Sequence, residues 1–205
     1  MPDHSMFSPR TTKLRLSACL AALSVLLLTV LPLHAHHLPP SMEDVDEFED
    51  GAAFMAGLRH PLLGMDHWMF AVAIGALAVA AARGQSSRGW MGALVGGVAM
   101  GGALGAGQVI LPTVESSLLA VMALPVLLLV TREKMPALMQ MGLVAMAAVW
   151  QGNVHGLAWP MESVAGAYVA GIAVTTLLLA LSGAAVVKVA KSGLAMHRSS
   201  TILPF

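Results

Sequence analysis

Long stretches of this chain hold no aspartate, glutamate, lysine or arginine, among them those between Arg88 and Glu115, Glu115 and Arg132, Lys134 and Glu162, and Glu162 and Lys188. A helix needs about 20 apolar residues to cross a bilayer, and these runs approach or exceed that length. Water could not cover so much apolar surface, so lipid must be the solvent. A strand in lipid leaves its backbone groups unsatisfied, whereas a helix bonds its own, so the spans should be helical. Composition agrees: 57% of the 205 residues are hydrophobic and 11% are charged, where a soluble domain carries about 25% charged residues. The expected fold is an all-α integral membrane protein, a bundle of about five transmembrane helices after a signal peptide.

Residues 1–35 read as that signal. Arg10, Lys13 and Arg15 give a positive start, residues 16–33 are apolar, and His34 and Ala35 close the segment. An uncleaved anchor helix is the alternative, because Leu33 occupies a position that prefers a small residue. Residues 36–59 follow as a periplasmic segment. They carry His36, His37 and an acidic run from Glu43 to Asp50, with Val45, Phe48, Ala52 and Met55 at the spacing of a short interfacial helix. Residues 60–192 form the membrane domain, with spans over 61–82, 90–111, 112–131, 135–154 and 164–187, and residues 193–205 are a cytoplasmic tail.

The loops orient the bundle. Arg83 and Arg88 separate the first two spans, Arg132 and Lys134 separate the third and fourth, and Lys188, Lys191 and Arg198 follow the fifth. The other two connections contain no lysine or arginine. Positive charge stays in the cytoplasm, so the expectation is an inner-membrane protein with a periplasmic mature N-terminus and a cytoplasmic C-terminus. Gly97, Gly101 and Gly105 recur every four residues, a spacing that lets helices pack closely within the bundle or forms the face of a homo-oligomer.

Several function classes drop out. Net charge is zero, which leaves no basic face for nucleic acid. Cys19 is the single cysteine, so neither an internal disulfide nor a thiolate metal site can form. No G-x-x-x-x-G-K-[ST], H-E-x-x-H or G-x-S-x-G pattern occurs. Neither an internal ATPase nor a hydrolase is expected; the chain reads as a non-enzyme.

What remains is a set of polar residues inside the membrane, where ionisable groups are costly and so mark function. His60, Asp66 and His67 lie within eight residues of one another, with Pro61 and Gly64 between the histidines. Two imidazoles and a carboxylate suit a borderline divalent metal such as nickel, cobalt, zinc or iron. On a straight helix the two histidines share a face but stand about 10 Å apart along the axis. Pro61 at the first helical position would let the chain bend at His60 and return its ring over the first turns. Asp66 either ligates or orients His67. The plainer alternative has His60 at the interface and Asp66 with His67 as a structural pair. Glu115, Gln151, Asn153, His155 and Glu162 all fall at the periplasmic ends of other spans, and Gln151 and His155 share a helix face. His60, Asp66, His67, Glu115 and His155 are therefore the candidate metal residues, with His36, His37 and Gln151 as weaker ones. Gln108 and Gln140 are isolated and are expected to bond neighbouring helices. Met65 and Met69 flank the motif, but methionine is a common packing residue, and a copper(I) site is the lesser reading.

The pattern H-P-x-x-G-x-D-H over residues 60–67 resembles the signature of the HupE/UreJ family of hydrogenase and urease accessory membrane proteins. Pro112, Thr113, Val114 and Glu115 resemble the family's P-x-x-E, and Gly152, Asn153, Val154, His155 and Gly156 resemble the second half of its H-G-x-x-H-G. The resemblance implies five or six membrane helices, a cleavable signal, a histidine near the mature start, and a permease for nickel or sometimes cobalt. The ion would be carried rather than kept as a cofactor, and metalloenzyme maturation proteins would be the partners. Gln151 stands where the family has a first histidine, Ala158 where a glutamate is common, Leu179 where the last helix has a histidine, and Val121 near a family serine. A membrane scaffold for metalloenzyme assembly, without transport, is the alternative.

Overall fold

The computed structural model describes residues 50–80, 87–112, 114–159 and 164–200, without the side chains of 65–66, 114–120 and 194–200. The signal, His36 and His37, most of the acidic segment and Glu162 lie outside the described residues. Six helices follow one another: α1 (Asp50–Leu63), α2 (Met65–Ala80), α3 (Ser87–Ala106), α4 (Val114–Thr131), α5 (Ala137–Leu157) and α6 (Ala165–Ser200). No strand occurs among the described residues.

Two helices, Ser87–Ala106 and Ala165–Gly193, are long and apolar enough to cross a membrane, and the bent pair α1–α2 makes a third candidate. The residues 121–131 of α4 form a shorter apolar helix. Outward-facing side chains are apolar along the bundle: Met100, Leu127, Val130, Leu138, Met146, Leu178 and Val186 are all exposed. Such a surface suits lipid contact, and with the apolar helices it defines a multi-pass membrane protein.

The helices close on one another through glycine. A Cβ at Gly101 would collide with the Val149 carbonyl oxygen, and one at Gly105 with that of Asn153. From the other side, Gly152 faces the Val98 carbonyl and Gly156 that of Gly102. The α3 stripe is thus spent on α5 inside the chain. The same device joins α6 to the first two helices: Gly57 meets Tyr168, Gly171 meets Phe54, and Gly75 and Gly183 meet the backbone at Ala180 and Val72. Between these contacts Phe70, Ile74, Leu94, Val98, Leu128, Val144 and Ile172 form the buried core.

The first span departs from expectation. Pro61 is not the first helical residue; α1 runs through it to Leu63, and the helix breaks at Gly64. The axes on either side make an angle of 80°. Proline removes the hydrogen bond to the Gly57 carbonyl, but with only Leu62 and Leu63 beyond it the helix has little left to lose. Glycine, which gains least from helical order, then ends it. Thr175 Oγ1 donates to the Leu58 carbonyl at 2.8 Å and fastens this last turn to α6.

Two isolated glutamines also differ from expectation. Among the described residues Gln140 bonds no neighbouring helix; its Nε2 donates to Arg132 O at 3.3 Å and Met135 O at 2.7 Å, tying the α4–α5 turn. Gln108 is exposed at φ 60°, in the left-handed position that ends α3. Its N–H reaches Gly105 O at 2.8 Å and the Val109 N–H reaches Leu104 O at 2.9 Å, the paired bonds of a Schellman cap.

Candidate metal site at the helix elbow

The elbow puts His60 at the end of α1 and His67 at the start of α2, so a separation that a straight helix would hold at about 10 Å falls to 6.2 Å between ring centroids. His155, near the C-terminal end of α5, sits between them. Its centroid is 4.8 Å from His60 in an edge-on arrangement and 4.1 Å from His67. All three rings are buried, at 6%, 4% and 2% exposure. Three imidazoles from three elements thus share one small volume in the interior of the bundle.

The packing explains why they meet. Gly57, one turn before His60, lets α6 approach at Tyr168. Gly152 and Gly156 flank His155 and let α5 lie against α3. The Gly64 carbonyl accepts from the His67 N–H at 3.1 Å, which starts α2 directly after the break.

Other polar groups at this end divide into two kinds. Asn153, fully buried, does not turn to the imidazoles. Its Nδ2 donates to Val109 O at 2.8 Å and its Oδ1 accepts from Leu111 N at 3.2 Å. With Trp150 Nε1 donating to Pro112 O at 3.2 Å, it pins the α3–α4 connection onto α5. Gln151 does face the cluster: its amide nitrogen contacts His67 Nδ1. Tyr168 from α6 packs edge-on against His60, at 5.9 Å between centroids. Tyr168 OH and Gln151 Oε1 are both buried, and neither has a hydrogen-bond partner among the described residues. Buried oxygens are rarely left without a partner. Tyr168 was missed in the sequence because a lone hydroxyl at the start of an apolar run carries no spacing signal.

The chemistry fits the expected cargo in type. Imidazole nitrogen suits nickel, cobalt, zinc and copper. Yet among the described residues no group of three His, Cys, Asp or Glu side chains is arranged to hold a metal ion. The imidazoles are gathered without forming a finished coordination shell. Asp66 lies in the first turn of α2 and Glu115 in the first turn of α4, and their side chains are outside the described set. His36 and His37 lie wholly outside the described residues.

A multi-pass helical membrane protein with a histidine cluster at a broken helix is the class that fold and site define. Residues 23–202 match the model of the HupE / UreJ protein family, and the chain belongs to that family. It is 35% identical over 131 residues to protein HupE of Rhizobium leguminosarum bv. viciae, covering 63% of this chain and 67% of that one. No solved structure matches it.

Proposed function

We propose that the protein is an inner-membrane permease for a divalent transition metal, nickel first and cobalt next, that supplies hydrogenase or urease maturation and catalyses no reaction itself. The observation that carries this reading is the meeting of His60, His67 and His155 in one buried volume. Burying three imidazoles at a helix break costs the fold, and a cation that binds nitrogen gives them a use. Asp66 and Glu115 would supply charge on the same path. An incomplete shell favours transport, since an ion held too tightly does not leave. The family relationship supports a place in metalloenzyme assembly.

In this reading α2 to α6 are five spans and α1 is the lead-in that packs on α6. The cluster opens to the periplasm, and the C-terminus of α6 is cytoplasmic. Transport is passive, gradient-coupled or driven by a partner, since the chain has no nucleotide-binding loop.

Radiolabelled nickel uptake tests the proposal in cells expressing wild type, His67→Ala or His155→Ala at equal membrane levels. Each variant should lose at least about tenfold in uptake, the scale on which disturbed metal sites respond. Uptake equal to wild type in both would remove the permease reading and leave a scaffold for assembly in its place.

A further inference from the structure

We infer that Gln151 is a positioning residue: it decides which nitrogen of His67 meets the metal, and being an amide it keeps that nitrogen weakly basic so the ion can leave. The inference rests on the permease reading and adds a residue-level account of how the site releases its cargo.

The geometry starts from the contact between the Gln151 amide and His67 Nδ1, made by two buried side chains that come from α5 and α2. A neutral imidazole has one N–H and one lone pair. With Nδ1 committed to the amide, Nε2 is the nitrogen that can reach a metal. To ligate, Nε2 must offer its lone pair, so the ring proton must sit on Nδ1 and needs an acceptor there. Gln151 supplies one if its amide presents Oε1 instead of the NH2 group. Oε1 has no other hydrogen-bond partner among the described residues, so no second bond there fixes the amide in one orientation. A half-turn about the terminal torsion, which is soft and two-fold, exchanges the two atoms.

The side chain therefore serves both states. Without metal, the NH2 group donates to Nδ1 and the proton is on Nε2. With metal, Nε2 has given up its proton, Nδ1 has gained one, and Oε1 accepts it. The ring stays neutral throughout, and no net proton is taken up or released. A carboxylate at this position could only accept. It would hold the proton on Nδ1 permanently and raise the basicity of Nε2, as in carboxylate–histidine–metal arrangements. An amide gives orientation without that gain in basicity, which suits a site that must also unload.

The test uses the full chain in nanodiscs for nickel titration calorimetry and whole cells for uptake kinetics. Gln151→Glu should bind nickel about tenfold tighter, with a lower half-saturating concentration and a lower maximal rate; Gln151→Leu should bind about 10- to 100-fold more weakly. On the wild-type protein, histidine 15N resonances should show His67 protonated at Nε2 without metal and at Nδ1 with zinc, a diamagnetic stand-in. This arm needs no variant to fold. Nδ1 protonated in both states, or the two variants equal to each other in affinity, would overturn the inference. If His67→Ala abolishes nickel binding while both Gln151 variants match wild type, this inference alone fails. If His67→Ala binds nickel as wild type does, the permease reading fails and takes the inference with it.

Discussion

At the residue scale, neighbouring polar side chains on α5 do different work. Asn153 and His155 are both buried, but the first holds loop backbone and the second faces two other imidazoles. Their substitutions should therefore separate. Asn153→Leu strands the Val109 carbonyl and the Leu111 N–H, at about 1–3 kcal/mol for groups left without partners. Thermal unfolding in detergent should register that loss, while the metal preference of whatever protein folds stays unchanged. His155→Ala should bind less nickel, a loss the Asn153 variant should not share. Gln108 makes the reverse case, where stability was given up. It occupies a left-handed position at φ 60°, which costs a non-glycine residue about 1–2 kcal/mol. Gln108→Gly should recover up to about 1 kcal/mol after glycine's larger entropy loss, read as a higher unfolding temperature with unchanged uptake.

At the scale of helices, glycine placement decides which substitutions the bundle survives. Gly101→Leu and Gly57→Val push a side chain into the opposing backbone at Val149 and Tyr168. Backbone cannot step aside as a side chain can, so the cost should exceed the roughly 1–3 kcal/mol of ordinary overpacking, and little monodisperse protein should elute on size exclusion. Gly92→Ala and Gly96→Ala are the matched controls: nothing lies within 4 Å of either added Cβ, and both should elute as wild type does. The tight packing of α3 was legible in the four-residue repeat of Gly97, Gly101 and Gly105, though its partner α5 was not. Charge-free runs also announced α3 to α6 as helices. The elbow was legible only as a need, because two histidines seven apart must somehow approach. Pro61 and Gly64 both break helices, and local sequence does not say which one turns the chain when packing against α6 holds Pro61 inside a helix. His60, His67 and His155 were chosen from residue type and topology, and they meet. Tyr168 and the role of Asn153 were missed because their partners are ring faces and backbone, which leave no pattern in the chain.

At the scale of the whole molecule, the lysine-bearing end of α6 and the histidine cluster lie at opposite ends. The imidazole cluster, the α3–α4 connection held by Asn153 and the start of α6 lie together. Lys191 is at the other end, where its Nζ donates to the Val79 carbonyl at 2.8 Å and satisfies the last turn of α2. A cation suits that place, since a helix C-terminus carries partial negative charge. The 36 residues of α6 extend about 54 Å at 1.5 Å each, well beyond a hydrocarbon core of about 30 Å. In the proposed arrangement the excess would stand out of the bilayer at the lysine end. The positive charge at that end would hold it in the cytoplasm, and five spans from α2 to α6 would then put the histidine end in the periplasm. Single cysteines placed in a Cys19→Ser background test this arrangement with a membrane-impermeant maleimide. Ile110 is 72% exposed in the α3–α4 connection, and Ile110→Cys should label in intact spheroplasts. Glu133→Cys, exposed in the α4–α5 turn, should label only after the membrane is opened. Labelling of both in intact spheroplasts, or of Glu133→Cys alone, would reverse or break the five-span order and leave the imidazole cluster facing the wrong compartment for uptake.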